Sequence, residues 1–371
     1  MAARSKPARQ PKCKCKCKCS TAKSVKHKRT ATTKPARTFS KEQRERRAAA
    51  ERQRRETLRA RKLSSTFTLP RKHTITDKIA KDQEFIDSIQ YKLLPDGPTH
   101  DNITLMDERT GSVILQRISP TSAKKKRAAE KSAQDGRKKF EAYVAKKPPE
   151  DRTEDLTKRL TREYHLGIWH TTGQTILDFT GQSRHEKCRA EALDLLLWAK
   201  EHSNTFLTPL REHIHPLFYP NLKHRAGTAF EWLTKNVGKK STDFLHPWYT
   251  TIALFAGFSA GAHTDHRDEA PSFLYNFGGS VFLELPEFAV RILVRPLDIV
   301  ILNSPTFYHR TKPAGGDEKL RWSMSSFFRT SIFIMQPVTR MKEQYLDEAL
   351  ARAKRAEAEG YQRTGEARPG I

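Results

Sequence analysis

The chain is 371 residues long, carries a formal net charge of +27 at pH 7 and has a mean hydropathy of −0.73. No run of about 18 apolar residues occurs and no apolar segment follows the basic start, so neither a membrane span nor a secretory leader is expected. Five cysteines without a paired framework exclude the disulfide-stapled class and suit a reducing, intracellular compartment.

The charge is concentrated at one end. Residues 1–72 hold 25 Lys and Arg against 4 Glu, a net of +21, whereas residues 73–371 hold 44 against 38. A segment so charged and so poor in apolar side chains cannot offset its chain entropy by burial, so residues 1–75 are predicted to be a disordered basic arm. Its lysine clusters suit nuclear import or binding of DNA or RNA, and its acid-free first 40 residues also fit a mitochondrial presequence. Inside the arm, Cys13, Cys15, Cys17 and Cys19 alternate with lysines. Zinc sites want about two to four residues between paired cysteines, so this repeat reads either as low complexity or as a thiolate row for a soft ion such as Cu(I). Residues 41–61 are rich in helix formers and have almost no apolar face.

Residues 76–150 predict a hairpin followed by a basic linker. Asn102–Ile118 alternates as two strands around Asp107-Glu108-Arg109-Thr110-Gly111. The clusters Lys124–Arg127 and Arg137–Lys139 then have the spacing of a bipartite import signal, and equally of a solvated helix. Lys146-Lys147-Pro148-Pro149 marks a boundary, because proline stops a helix.

The main domain is expected over 151–335. His185–His202 places Ala192, Leu195, Leu196, Trp198 and Ala199 at helical spacing, with Cys188 as a core thiol, and residues 225–237 suggest a second helix. From Trp248 the period changes to six or seven short β-rich runs separated by Gly, Pro and Asp. Helices followed by strands predict an α+β protein whose core, 248–335, is a jelly roll supported by N-terminal helices. Residues 336–371 predict an exposed, charge-paired helix and a tail.

The chemistry is written in the strand region. His263-Thr264-Asp265 is answered 44 residues later by His309, and then by Arg321-Trp322-Ser323. Residues two apart on an extended strand share a face, so His263 and Asp265 can meet one ion. Two histidines and a carboxylate fill one face of an octahedral iron(II) and leave positions open. His266-Arg267-Asp268 is a second H-x-D; His263 and Asp265 are preferred because they sit nearer the end of the preceding strand, with the second pair, or a polar turn in which aspartate caps backbone amides, as the alternatives. In the run around Arg321, alternation sends Arg321, Ser323 and Ser325 to one face. A strand-interior arginine needs an anionic partner, and a dicarboxylate 2-oxo acid fits its planar fork, with the Ser323 hydroxyl donating to the same carboxylate.

These residues carry a resemblance. The segment HTDHRD…FGGSVFLELPEFAVRILVRPLDIVILNSPTFYHRT…GGDEKLRWSMSSF resembles the iron(II)/2-oxoglutarate dioxygenase superfamily. Within it, the segment is most similar to fungal members grouped with the ten-eleven-translocation and J-binding-protein oxygenases. The matching features are His263, Asp265 and Asp268; Gly278-Gly279; Pro296-Leu297-Asp298, with leucine where glycine is usual; His309; and Arg321 with Ser323. The likeness covers roughly 160–335 and is strong over 248–330.

The resemblance implies a double-stranded β-helix (cupin-like) core, in which O2 and 2-oxoglutarate are consumed, succinate and CO2 released, and a C–H bond hydroxylated. It implies Fe(II) on His263, Asp265 and His309, 2-oxoglutarate on Arg321 and Ser323, with Tyr275 or Asn276 adding a hydrogen bond, and Asp268 orienting a ligating histidine from behind. For the substrate, a methylated base in nucleic acid is the family analogue, reached by flipping the base out of the duplex. Arg291 and Arg295 share a strand face and would extend a phosphate-binding surface. A protein side chain or small metabolite is the alternative substrate, and a non-catalytic basic binder with an oxygenase-like fold is the alternative to an enzyme.

Overall fold

The computed structural model describes residues 42, 45, 46, 50 and 51, and then 64–95, 102–120, 122–146, 162–170, 177–256, 260–315, 322–334 and 340–364. The chain divides into two units, Met1–Glu51 and Arg52–Ile371. In the first, the described residues are helical and Arg46 pairs with Glu42 at 2.8 Å, one turn apart. The Cys13–Cys19 repeat lies outside the described residues.

The second unit is mixed α and β. Its strands before the central helices are β1 (Ser64–Leu69), β2 (Lys92–Leu94), β3 (Asn102–Asp107), β4 (Val113–Ile118), β5 (Arg162–His170) and β6 (Leu177–Phe179). After them come β7 (Thr251–Ala256), β8 (Ala260–His263), β9 (Asp268–Asn276) and β10 (Val281–Leu285). The last four are β11 (Val290–Val294), β12 (Ile299–Leu302), β13 (His309–Pro313) and β14 (Trp322–Arg329). One sheet has the order β1-β3-β4-β12-β9-β14-β7-β5-β6 and the other β2-β11-β10-β13-β8. Strands β7 to β14 therefore divide four and four between the two sheets, a jelly-roll-like arrangement.

Strand alternation explains the two cores. On β9, Phe273 and Tyr275 join Ile252, Leu254, Ile299, Ile301, Trp322 and Met324 in a cluster covered by the helix Arg189–Phe206 and its neighbours. Leu274, pointing the other way, packs with Val281, Leu283, Ile292, Val294, Val300 and Leu302 between the sheets. The helical layer is tied to β9 by Arg225, fully buried, whose Nε donates to Glu269 Oε2 at 2.7 Å and whose Nη1 donates to the carbonyls of Trp248 and Pro271 at 3.0 and 2.8 Å. Leu346 and Ala349 of the C-terminal helix Glu343–Thr364 are buried in the same layer, so that helix is docked as well as charge-paired.

Two expected boundaries are corrected. The basic arm was expected to reach residue 75, yet Ser64–Leu69 is a strand paired in parallel with β3, because Phe67 and Leu69 alternate with polar residues and Leu69 is buried between the sheets. In the segment 76–150 the expected hairpin is present, whereas the basic stretch expected as a linker is a packed helix. The hairpin β3–β4 extends the large sheet through β4–β12 pairing, and Ala123–Lys146 is one helix lying against the core with Ala129, Ala133, Gly136, Phe140 and Tyr143 buried. No helix among the described residues is long and apolar enough to cross a membrane.

Candidate metal centre

The two strands that carry His263 and His309 are short and adjacent. β8 ends on His263 and β13 begins on His309, and the two residues are register partners in an antiparallel pair. Cross-strand partners place their side chains on the same face, and the two imidazole centroids are 4.4 Å apart. Asp265 follows in the turn, held by its backbone N–H to Ser304 O at 3.0 Å. Its carboxylate oxygens lie 3.8 Å from His263 Nε2 and 3.7 Å from His309 Nε2. All three donor atoms are within 4.8 Å of one another, and no other group of three or more His, Cys, Asp and Glu converges in this way among the described residues.

The tautomers also favour a metal. His263 Nδ1 faces Gly261 O at 2.8 Å and His309 Nδ1 faces Phe307 O at 3.1 Å. A carbonyl only accepts, so each Nδ1 carries the proton and each Nε2 presents its lone pair toward Asp265. Burial, reinforced by the neighbouring His263 ring, pushes His309 down to about 4, which keeps it in the neutral, ligating form at physiological pH. The site is graded in exposure: the His309 side chain is 9 % exposed and those of Asp265 and His263 are 32 % and 43 % exposed. One wall is closed and the other open to solvent. β13 is itself fixed by the buried Arg310, which binds Glu284 Oε2 at 2.6 Å and Asp87 Oδ1 at 2.9 Å.

The rival H-x-D pair is not brought together in this way. His266 is exposed and Asp268 is buried. Asp268, expected to orient a histidine, instead accepts from Arg329 Nη1 at 2.7 Å. Burial pushes its carboxyl up to about 7, with Arg329 opposing and Asp265 reinforcing the shift. Asp268 thus anchors the turn through Arg329 and through its own N–H to Asp265 O at 2.8 Å.

A second polar locus lies between the sheets. Ser323 on β14 and Asn276 on β9 are register partners, and both face away from the helical layer. Ser323 Oγ and Asn276 Oδ1 are buried without a hydrogen-bond partner among the described residues, a costly arrangement unless a ligand completes it. Asn276 is braced: its Nδ2 donates to Gly279 O and Val294 O at 3.0 Å each, and its backbone O accepts from Leu297 N at 2.6 Å. Leu297 has φ of 71°, the left-handed region where glycine is usual, and its buried side chain packs on Ala129 and Ala133. Arg321 lies outside the described residues. Tyr275 is a correction: its hydroxyl meets Ser203 Oγ at 2.8 Å within the helical layer, where burial raises its pKa. Consecutive strand residues point to opposite faces, so Tyr275 and Asn276 cannot share one site. Arg291 turns outward over the Phe282 ring at 4.3 Å, and Arg295 donates to Ser119 Oγ at 3.0 Å.

No protein-family profile and no curated protein matches the chain. Among solved structures it is similar to NgTET1 in complex with 5mC DNA, at 14 % identity and a TM-score of 0.43, over 74 % of this chain and 98 % of that one. It is also similar to the C-terminally truncated thymine-7-hydroxylase of Neurospora crassa in apo form, at 13 % identity and a TM-score of 0.28, over 68 % and 87 % of the two chains. Likenesses this distant bear on neither reaction nor substrate, which rest on the residues themselves.

Proposed function

We propose that the chain is an Fe(II)- and 2-oxoglutarate-dependent dioxygenase of the double-stranded β-helix type that hydroxylates a C–H bond of a nucleic-acid base. The observation that carries this reading is the convergence of His263, Asp265 and His309, with both Nδ1 atoms committed to carbonyls and both Nε2 atoms turned to the carboxylate. Two nitrogens and one oxygen in this set fit Fe(II) with open positions, and do not form the closed four-ligand set of structural zinc. When bound there, the metal supplies O2 activation at the expense of 2-oxoglutarate.

The chain's own residues do the rest. The carbonyls of Gly261 and Phe307 fix the imidazoles. Ser323 Oγ and Asn276 Oδ1, without a partner among the described residues, support a polar ligand between the sheets, with Ser323 donating to a carboxylate of 2-oxoglutarate and Arg321 supplying the cationic fork. The closed side at His309 excludes water from the centre and the open side at His263 admits the substrate. The net charge of +27 supports a polyanionic substrate and a nuclear setting, since cation-rich surfaces bind phosphates by counterion release.

The test is succinate release coupled to mass spectrometry of nucleosides from methylated DNA and RNA, with Fe(II), ascorbate and 2-oxoglutarate. A new oxidised nucleoside, abolished in His309→Ala, is expected. Succinate release with every nucleoside unchanged would redirect the substrate to a protein or metabolite, and no succinate under any condition would remove the enzyme reading.

A further inference from the structure

The helix Ala123–Lys146 is unusually lopsided. It carries nine Lys and Arg against three acids, Glu130, Asp135 and Glu141. Its buried residues, Ala129, Ala133, Gly136, Phe140 and Tyr143, mark one face. At 100° per residue, Lys124, Arg127, Lys131 and Lys138 fall on the opposite face in a single row. All four are exposed. None has a carboxylate partner among the described residues, whereas off-row Arg137 pairs with Glu141 at 2.9 Å and Lys146 with Glu191 at 2.5 Å. Glu130 and Glu141 sit on one flank and Asp135 on the other, within a turn of Lys131 and Lys138, so the row is four cations spread over about 21 Å at 1.5 Å per residue, bordered by acids.

This row is held rigidly. Trp198 Nε1 donates to Ser132 O at 2.8 Å, and Phe140 stacks on Trp322 with ring centroids 6.0 Å apart. Trp322 is the first residue of β14 and neighbours Ser323, so the helix is fixed to the strand that carries the second polar locus. Beside the row, Lys126, Arg137 and Arg295 line a cavity of about 700 Å³ walled by Phe277 and Trp322. A partner that reads extended chain would have to unwind a helix whose anchored face is buried.

We propose that the outward row Lys124, Arg127, Lys131 and Lys138 is a docking surface for the phosphate backbone of duplex nucleic acid, orienting it relative to the barrel. It rests on the nucleic-acid reading of the substrate. A straight, rigid row of cations matches a stiff duplex that presents about one charge per 1.7 Å of axis. A basic arm alone would give affinity without orientation. A row fixed to β14 gives both.

The experiment uses the full chain and a short duplex DNA, with affinity measured across a salt series and no Fe(II) or 2-oxoglutarate present. In Lys124→Gln/Arg127→Gln/Lys131→Gln/Lys138→Gln the slope of log affinity against log salt should become shallower by about 3 to 4, one unit for each phosphate no longer neutralised. Glutamine keeps helix propensity near that of Lys and Arg, and an unchanged thermal midpoint verifies folding. The control Lys72→Gln/Lys78→Gln/Lys81→Gln/Lys354→Gln removes the same charge from exposed positions elsewhere and should flatten the slope by less than half as much. An unchanged slope in the row variant, or an equal change in the control, overturns the proposal while leaving the nucleic-acid reading standing. Polyglutamate competing as well as duplex DNA would make the partner an acidic protein and also overturn it. Wild-type protein that binds no duplex would remove the nucleic-acid reading itself.

Discussion

Gly136 is where two physical effects compete, and the structure decides between them. It lies inside the helix Ala123–Lys146, where alanine would ordinarily add about 1 kcal/mol of helix stability. Here a β-carbon would overlap Trp198 Cζ2 and Cε2 and stand 2.7 Å from Cη2. Trp198 cannot give way, since its ring is flanked by Phe277 and Trp322 at centroid distances of 5.5 and 5.6 Å and its Nε1 is bonded to Ser132 O. The helix must therefore lift, at an overpacking cost of about 1–3 kcal/mol. Losing the Trp198 hydrogen bond adds about 1 kcal/mol. Sterics win, and Gly136→Ala should be destabilised by roughly 1–3 kcal/mol, a drop of a few degrees in thermal midpoint. Gly181, also in a helix but with open space where its β-carbon would be, is the internal control. Calorimetric scans of the two variants should show Gly136→Ala lowered and Gly181→Ala unchanged or raised. A raised midpoint for Gly136→Ala would refute the packing of this helix on Trp198, and with it the rigid mounting of the basic row.

Other outcomes follow from the same coordinates. Burial pushes His202 and His246 down to about 3, so the unfolded chain takes up protons that the folded chain refuses. Stability should then rise with pH between about 3 and 6.5, by about 1.4 kcal/mol per pH unit per histidine at most; denaturant midpoints of His202→Phe should fall less than wild type on acidification, and an equal fall would contradict the assignment. Arg225→Met strands the acceptors of a buried guanidinium and should cost about 3–5 kcal/mol in chemical denaturation; a loss below about 1 kcal/mol would contradict the clamp. Ser323→Ala removes a hydroxyl with no hydrogen-bond partner among the described residues. It should leave stability unchanged while raising the KM for 2-oxoglutarate roughly tenfold or more, the value of a hydrogen bond to a charged group.

Much of the fold was legible from the sequence because strand alternation and helical periodicity are local signals. The β-rich runs from Trp248 and the apolar spacing of Leu195, Leu196 and Ala199 appear as β7, β9–β12 and β14 and the helix Arg189–Phe206. What escaped was set by tertiary context. β8 and β13 are four and five residues long and rich in small or polar residues, so their pairing comes from the sheet and not from propensity. Those are the strands that bring His263 opposite His309. The strand at Ser64–Leu69 was hidden by the charge around it, and the basic segment 123–146 read as linker because its narrow stripe of Ala, Gly, Phe and Tyr is a weak apolar signal. The preference for His263-x-Asp265 over His266-x-Asp268 rested on its place nearer the strand end; what local reasoning missed is Arg329, which lies 61 residues from Asp268 and engages its carboxylate. Tyr275, by contrast, was excluded by alternation alone once Asn276 was placed between the sheets.

The central claim is that His263, Asp265 and His309 hold one metal ion. Anaerobic titration of Fe(II) into the full chain, followed by calorimetry, tests it most directly. One ion per chain is expected, with binding lost in His263→Ala and in His309→Ala and retained in His266→Ala. Loss in His266→Ala with retention in His309→Ala would contradict the account.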